Sequence, residues 1–307
     1  MHIYLPIAQL SINWLVLVGL GLAVGFLSGM LGVSGGFITT PLLIFYGIPA
    51  SVAVASQASP VAAASLVGAI RQGGRHSIDY KMGLILLIGG LAGSGLGVYI
   101  FKLLQGTGQI DFTVKVSYLV LLGSIGTMML AESVQTLRAA RRGVNVSAHK
   151  PGQHTWIHNL PFKMRFRASR LYISAIPIVV LGFAVGVMTA ILGTGGAFIL
   201  IPAKVYLLRM RTNLAIGTSQ FQMFIVACMA TMMHAMIDQT VDVVLAFILV
   251  MGGVIGAQAG VTMGTRLKGE ELRTLLAVLI LVIAARLLID LAATPSDLYS
   301  LAIGPQG

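Results

Sequence analysis

The sequence predicts an all-α polytopic membrane protein made of two inverted repeats of five apolar segments each. The second segment of each repeat reads as a short broken or re-entrant helix. Three observations carry this. Of 307 residues, 57% are hydrophobic and only 9% charged. Several windows of about 20 residues contain no charge, which is the length that crosses a bilayer core. Finally, the block Gly25-Phe-Leu-Ser-Gly-Met-Leu-Gly-Val-Ser-Gly-Gly-Phe-Ile-Thr-Thr-Pro41 returns 161 residues later as Gly186-Val-Met-Thr-Ala-Ile-Leu-Gly-Thr-Gly-Gly-Ala-Phe-Ile-Leu-Ile-Pro202. An apolar helix that breaks at glycines and resumes as a short proline-containing piece, twice, is the mark of a transporter with interrupted helices at its binding site.

So much apolar surface excludes a soluble protein. A membrane β-barrel would show short alternating strands, which the sequence lacks. Met1 to Asn13 contains no Lys or Arg, so the first apolar stretch does not read as a cleaved signal. The single cysteine, Cys228, permits no internal disulfide.

In chain order, the first half offers apolar segments at 12–31, 36–47, 51–70, 82–104 and 112–131, and the second at 172–192, 196–208, 214–237, 243–265 and 272–292. This divides the chain into a first transmembrane repeat (1–135), a basic connector (136–171) and a second repeat (172–307). Segments 36–47 and 196–208 are too short for a full crossing, and each carries a proline, Pro41 or Pro202. Their loose backbone must be buried against protein or line a wet cavity. At an offset of 163, Ser56-Gln57 aligns with Ser219-Gln220, Asp79 with Asp242, and Gly89, Gly90, Gly93 and Gly97 with Gly252, Gly253, Gly256 and Gly260. Small residues at that spacing let helices in lipid pack backbone to backbone.

The net charge of +11 is concentrated: Arg138, Arg141, Arg142, Lys150, Lys163, Arg165, Arg167 and Arg170 all lie in the connector region. That pattern predicts a cytoplasmic loop near anionic lipid heads, with no nucleic-acid partner. With the loop inside and every segment crossing, Arg71, Arg75, Lys81, Arg209, Arg211, Arg266, Lys268 and Arg273 also fall inside. Asp111, Asp238, Asp242 and Asp297 fall outside. Four spans per half would put Arg209 and Arg211 outside, so five segments and inverted repeats fit the charge better.

Polar groups inside a bilayer are costly unless partnered, so they mark helix contacts or a site. They cluster at the two breaks. The candidate substrate-binding residues are Ser34, Gly35, Gly36, Ser56, Gln57, Thr194, Gly195, Gly196, Ser219 and Gln220. Gln57 and Gln220 stand out because each brings two donors and an acceptor into lipid beside a serine. The glycines precede the short segments, so bare N–H groups at a helix N-terminus face a cavity and favour an anion. Lys204 could add a full positive charge near the second half-helix, but is expected rather to snorkel to the cytoplasmic face with Arg209. Arg286 and Asp290, four apart, are expected to pair. His234, Asp79 and Asp242 read as loop-edge residues. No metal-ligand or cofactor motif is present, and no catalytic set is assigned.

The paired glycine blocks, with Ala53-Val-Ala-Ser-Gln57 and Ala215-Ile-Gly-Thr-Ser-Gln220 after them, resemble the sulfite exporter TauE/SafE family over nearly all of both halves. The resemblance implies a bacterial inner-membrane carrier that exports small sulfur oxyanions or organosulfonates such as sulfite or sulfoacetate. Carriers of non-sulfur organic anions are an alternative within it. The second block departs from the first, with Gly195 for Ser34 and Ala197 for Gly36. A different class is suggested by Gly32-Val-Ser34-Gly35, which matches the G-x-S-G of rhomboid intramembrane serine proteases. There a serine attacks and a histidine on another helix is the base. His234 is the one histidine expected at membrane depth, and the second copy has no matching serine. The partners expected are thus a small anionic substrate and membrane lipids, with homo-oligomerisation left open.

Overall fold

The computed structural model describes residues 2–31, 35–74, 76–141, 162–166, 168–169, 171–208, 210–264 and 269–292. In the first half, α1 (Trp14–Leu31), α2 (Gly36–Phe45), α3 (Ala50–Gly73), α4 (Tyr80–Gly106) and α5 (Ile110–Arg141) follow one another. The second half holds α6 (Ala175–Leu192), α7 (Ala197–Pro202), α8 (Thr212–Met233), α9 (Val243–Gly264) and α10 (Gly269–Ala292). Two π-helical turns, Ala203–Leu207 and His234–Asp238, extend α7 and α8. Seven of these helices are long and apolar enough to cross a bilayer. The protein is therefore an all-α, multi-pass membrane protein. At about 1.5 Å per residue, the 10 residues of α2 reach only halfway across.

Two antiparallel hairpins were not legible in the sequence. β1 (His2–Leu5) pairs with β2 (Leu10–Asn13) just before α1, and β3 (Lys163–Phe166) pairs with β4 (Leu171–Ser174) just before α6. Strands of four residues are too short to announce themselves by alternation. Most of the expected connector, residues 142–161, lies outside the described residues, while α5 and the second hairpin occupy its two ends.

Each hairpin tip is tied to a carboxylate that starts a long helix. Asp79 caps α4: its Oδ1 accepts from the Met82 N–H at 3.1 Å, and its Oδ2 accepts from the Ser169 N–H at 3.1 Å and hydroxyl at 2.6 Å. Asp242 caps α9 in the same way, Oδ1 accepting from the Leu245 N–H and Oδ2 from the Ile7 N–H, both at 3.1 Å. These are N-caps, which satisfy amides that a helix start leaves bare.

The halves are held together by swapped glycine contacts. α1 packs on α9, and α6 packs on α4. A Cβ on Gly25 would come 2.3 Å from the Gly253 carbonyl oxygen, and one on Gly186 would come 2.2 Å from that of Gly90. A Cβ on Gly252 would strike Val18 and Leu22, and one on Gly89 would strike Val179 and Phe183. Every contact between α1 and α9 in this set thus recurs between α6 and α4, with offsets of 161 and 163. Backbone-to-backbone packing of this kind suits helices in lipid, which gain little from hydrophobic burial.

Asp290 departs from expectation. It pairs with Lys115 of α5 at 2.7 Å rather than with Arg286, because α5 and α10 lie side by side.

Substituting Gly25 or Gly186 by Ala places a methyl against a backbone oxygen that cannot move without its helix. Each is expected to destabilise by at least ~1–3 kcal/mol. Gly19→Ala, with nothing within 4 Å of its Cβ, is the control. Thermal melts in detergent should show a fall of several degrees for the first two and none for the control.

Candidate functional site

The two glycine breaks meet. A Cβ on Gly36 would lie 2.9 Å from the Gly193 carbonyl oxygen and 3.0 Å from that of Thr194. The second break is built by left-handed backbone: Gly193, Gly195 and Gly196 have φ of 64°, 70° and 59°. Side chains with a Cβ are strained there, which is why three of four positions from 193 to 196 are glycine. Thr194 is buried and its Oγ1 accepts from the Gly196 N–H at 3.3 Å, stapling the turn. At the first break Gly35 precedes α2 with an ordinary φ of −72°. Ser34 lies outside the described residues.

The carbonyls released where α6 ends are received by side chains from elsewhere. The Tyr118 hydroxyl of α5 donates to the Leu192 carbonyl. His234 is fully buried, with Nε2 3.0 Å from the Ala190 carbonyl oxygen and Nδ1 2.8 Å from Asp238 Oδ2. Phe101 of α4 meets its ring edge-on at 4.8 Å between centroids. His234 is therefore not at a loop edge. It is a buried clamp on the broken helix.

Beside the breaks lies a cavity of about 50 Å³ between α1, α2, α3 and α9. By that measure it holds a few waters or one small polyatomic ion. Its wall includes Gly25, Ser28, Gly35, Gly36, Thr39, Gln57, Pro60, Val61, Ala64, Gly253 and Ala257, and among the described residues no charged one. Thr39 turns its hydroxyl back onto the Gly35 carbonyl at 3.1 Å. Gln57 is 3% exposed and its Oε1 has no hydrogen-bond partner. That oxygen is an acceptor, and leaving it buried and unpaired costs roughly 1–3 kcal/mol unless a hydrogen-bond donor such as water reaches it. The N-terminus of α2 opens onto the same space and favours negative charge.

Of the residues singled out in the sequence, Gly35, Gly36 and Gln57 line this cavity, whereas Thr194, Gly195, Gly196, Ser56, Ser219 and Gln220 do not. The reason is partly one of register. Ser56 Oγ accepts from the Asp242 N–H at 2.9 Å, and Thr218 Oγ1 accepts from the Asp79 N–H at 3.0 Å. Ser56 is thus matched by Thr218, an offset of 162, and Gln57 by Ser219 instead of Gln220. Gln220 instead lies against Gly68 of α3. In this register Pro60 is matched by Gln222 and Ala64 by Val226. The mirror space in the second half is filled by those larger side chains, for a Cβ on Gly90 would meet Val226 at 2.7 Å and Gln222 at 3.1 Å.

Lys204 contradicts the expectation that it snorkels. It is wholly buried on the π-helical turn after Pro202, and its Nζ donates to Ser219 Oγ at 2.9 Å. The signal available in the sequence was that Lys204 follows the second block in a segment too short to reach far from the break.

The sequence pattern described as Sulfite exporter TauE/SafE matches residues 17–287. The chain belongs to that family. Within the family's reach, it is 25% identical over 288 residues to the "Probable membrane transporter protein YunE" of Bacillus subtilis (strain 168), covering 91% of this chain and 98% of that protein. It is 27% identical over 272 residues to the "Probable membrane transporter protein YjnA" of the same organism, covering 88% and 97%. A "Probable membrane transporter protein" of Xylella fastidiosa (strain 9a5c) is 26% identical over 259 residues, covering 84% of this chain and 87% of that protein. No solved structure matches the chain significantly.

Removing the Tyr118 hydroxyl should expose the cost of the break. Tyr118→Phe leaves the Leu192 carbonyl without that donor, and side-chain hydrogen bonds within membrane proteins average ~0.6 kcal/mol with a maximum near 1.7. A detergent melt should fall by a few degrees. An unchanged melt would show that the carbonyl finds another donor.

Proposed function

We propose that this membrane transporter exports a small sulfur-containing anion, such as sulfite, sulfoacetate or a related organosulfonate, across the bacterial inner membrane. The central basic loop faces the cytoplasm, and the two halves, oppositely oriented, alternate access to a site at the paired breaks. The observation that carries this reading is the cavity itself: an uncharged pocket at the N-terminus of α2, with the buried amide of Gln57 in its wall. A pocket without carboxylates places no full negative charge beside an oxyanion, and the Nε2 end of the Gln57 amide is a donor that an oxyanion accepts from, while its unpaired Oε1 is an acceptor and points away from the ion. Membership of the exporter family supports the same substrate class.

Direction follows from charge. An inside-negative potential of 100 mV favours exit of each negative charge by ~2.3 kcal/mol, so export of an anion needs no coupled proton. The protease alternative is disfavoured by His234, whose two ring nitrogens are already engaged by Asp238 and the Ala190 carbonyl. A base for Ser34 would have to break one of those contacts.

Purified protein in proteoliposomes loaded with sulfoacetate should release it when a potential, negative inside, is imposed with equal pH on both sides. Flux indifferent to potential yet dependent on a proton gradient would contradict the mechanism. In the same assay Gln57→Ala is expected to raise the half-saturating concentration about tenfold, the equivalent of losing ~1.4 kcal/mol of binding, while its melt stays within a few degrees of the parent. A variant that loses stability but keeps the parent's half-saturation would mark Gln57 as a packing residue.

A further inference from the structure

Lys204 is the one lysine among the described residues that is fully buried, and its position repays comparison with the first half. Its partner is a hydroxyl, Ser219 Oγ at 2.9 Å. Among the described residues the ion pairs are Lys115 with Asp290 and His234 with Asp238, so no carboxylate lies within pairing distance of the Lys204 amine, and the buried Asp79 carboxylate acts on it only from farther away. Burying a charge with no counter-charge in contact is costly, so an anion that came to this amine would stabilise its charged form. It also sits on a π-helical turn, a local geometry rare in proteins and frequent at functional sites.

The matched hydrogen bonds of the two halves say where this amine lies. Ser219 is the counterpart of Gln57, because the residues before them, Thr218 and Ser56, make the same bond to the Asp79 and Asp242 amides. Lys204 therefore reaches the mirror image of the wall that Gln57 gives to the open cavity. That mirror space is shut by Gln222, which donates to the Leu86 carbonyl at 3.4 Å while its own buried Oε1 has no partner. The position matching Lys204 in the first half is Leu43, a core residue, so the charge belongs to one half only.

We propose that the closed mirror pocket is a second anion station, where Lys204, Ser219 and Gln222 take the small oxyanion when α8 and α4 part and the first cavity closes. The amine supplies the full positive charge that the first cavity lacks, and Gln222 exchanges its long bond to Leu86 for the ligand. This rests on the export reading above and extends it: the two stations face opposite sides of the membrane and differ in charge, so the carrier binds its anion unequally from its two faces.

The test measures sulfoacetate flux in right-side-out and inverted membrane vesicles, giving a half-saturation for each face. Lys204→Met should raise it at least tenfold on one face and less than twofold on the other, with Gln57→Ala showing the opposite sidedness. Ser219→Ala should raise it on the same face as Lys204→Met, and stands in for that variant if it fails to fold. A Lys204→Met or Ser219→Ala protein with both half-saturations within twofold of the parent, or with both raised equally, overturns the second station and leaves the export reading standing. Parent vesicles with no saturable anion flux on either face overturn the export reading itself.

Discussion

The close approach of four glycine-faced helices is the constraint on which the rest of the molecule depends. Gly25 meets Gly253, and Gly186 meets Gly90, at separations that leave no room for a methyl. Helices surrounded by lipid gain little by hiding apolar side chains from one another, so shape at the backbone sets their pairing. Because α1 binds α9 and α6 binds α4, each half is completed by the other, and the two interrupted ends are brought into contact at Gly36, Gly193 and Thr194. Asp79 and Asp242 fix the same exchange at the helix starts, each carboxylate reaching across to a hairpin tip while its own amide N–H donates to a hydroxyl of the other half.

The matched contacts of the two halves make the differences between their side chains meaningful. Where the first half has Pro60 and Ala64, the second has Gln222 and Val226, and one space is open while its image is filled. Where the first half has Leu43, the second has a buried lysine. The breaks therefore share an architecture without sharing a chemistry: one presents amides and a helix N-terminus, the other an amine held by a hydroxyl. On the proposed reading, a carrier that alternated between two such ends would have different affinities on its two sides as a direct consequence of these few substitutions.

The fold was largely legible in advance because its signals are physical requirements of lipid. Segment lengths, the glycine blocks and the small-residue spacing of Gly89, Gly93 and Gly97 each reflect something the bilayer enforces, and the helices fall where those signals put them. The site was legible only in part. Gly35, Gly36 and Gln57 line the cavity, but pairing Gln57 with Gln220 assumed one constant offset along the chain. In the folded protein that offset is 161 at the breaks, 162 along α3 and α8, and 163 at Asp79 and Asp242. Turns absorb single residues without disturbing the helices between them, so identity of residue type misled where hydrogen bonds decide. Lys204 was misread for a related reason: whether a long side chain reaches an interface depends on the direction its helix gives it. The partner of Asp290 was hidden because only the packing of α5 on α10 brings Lys115 near.

The central claim is that the pocket beside the first break, at the N-terminus of α2, holds a small oxyanion. Diffraction from crystals grown with selenite, a heavier relative of sulfite, would test this most directly, since selenium can be located by its anomalous signal. The account predicts a peak within hydrogen-bonding distance of Gln57 and the N-terminus of α2. A saturated crystal whose selenium peaks lie only on surface lysines and arginines, with none in the cavity, would contradict it.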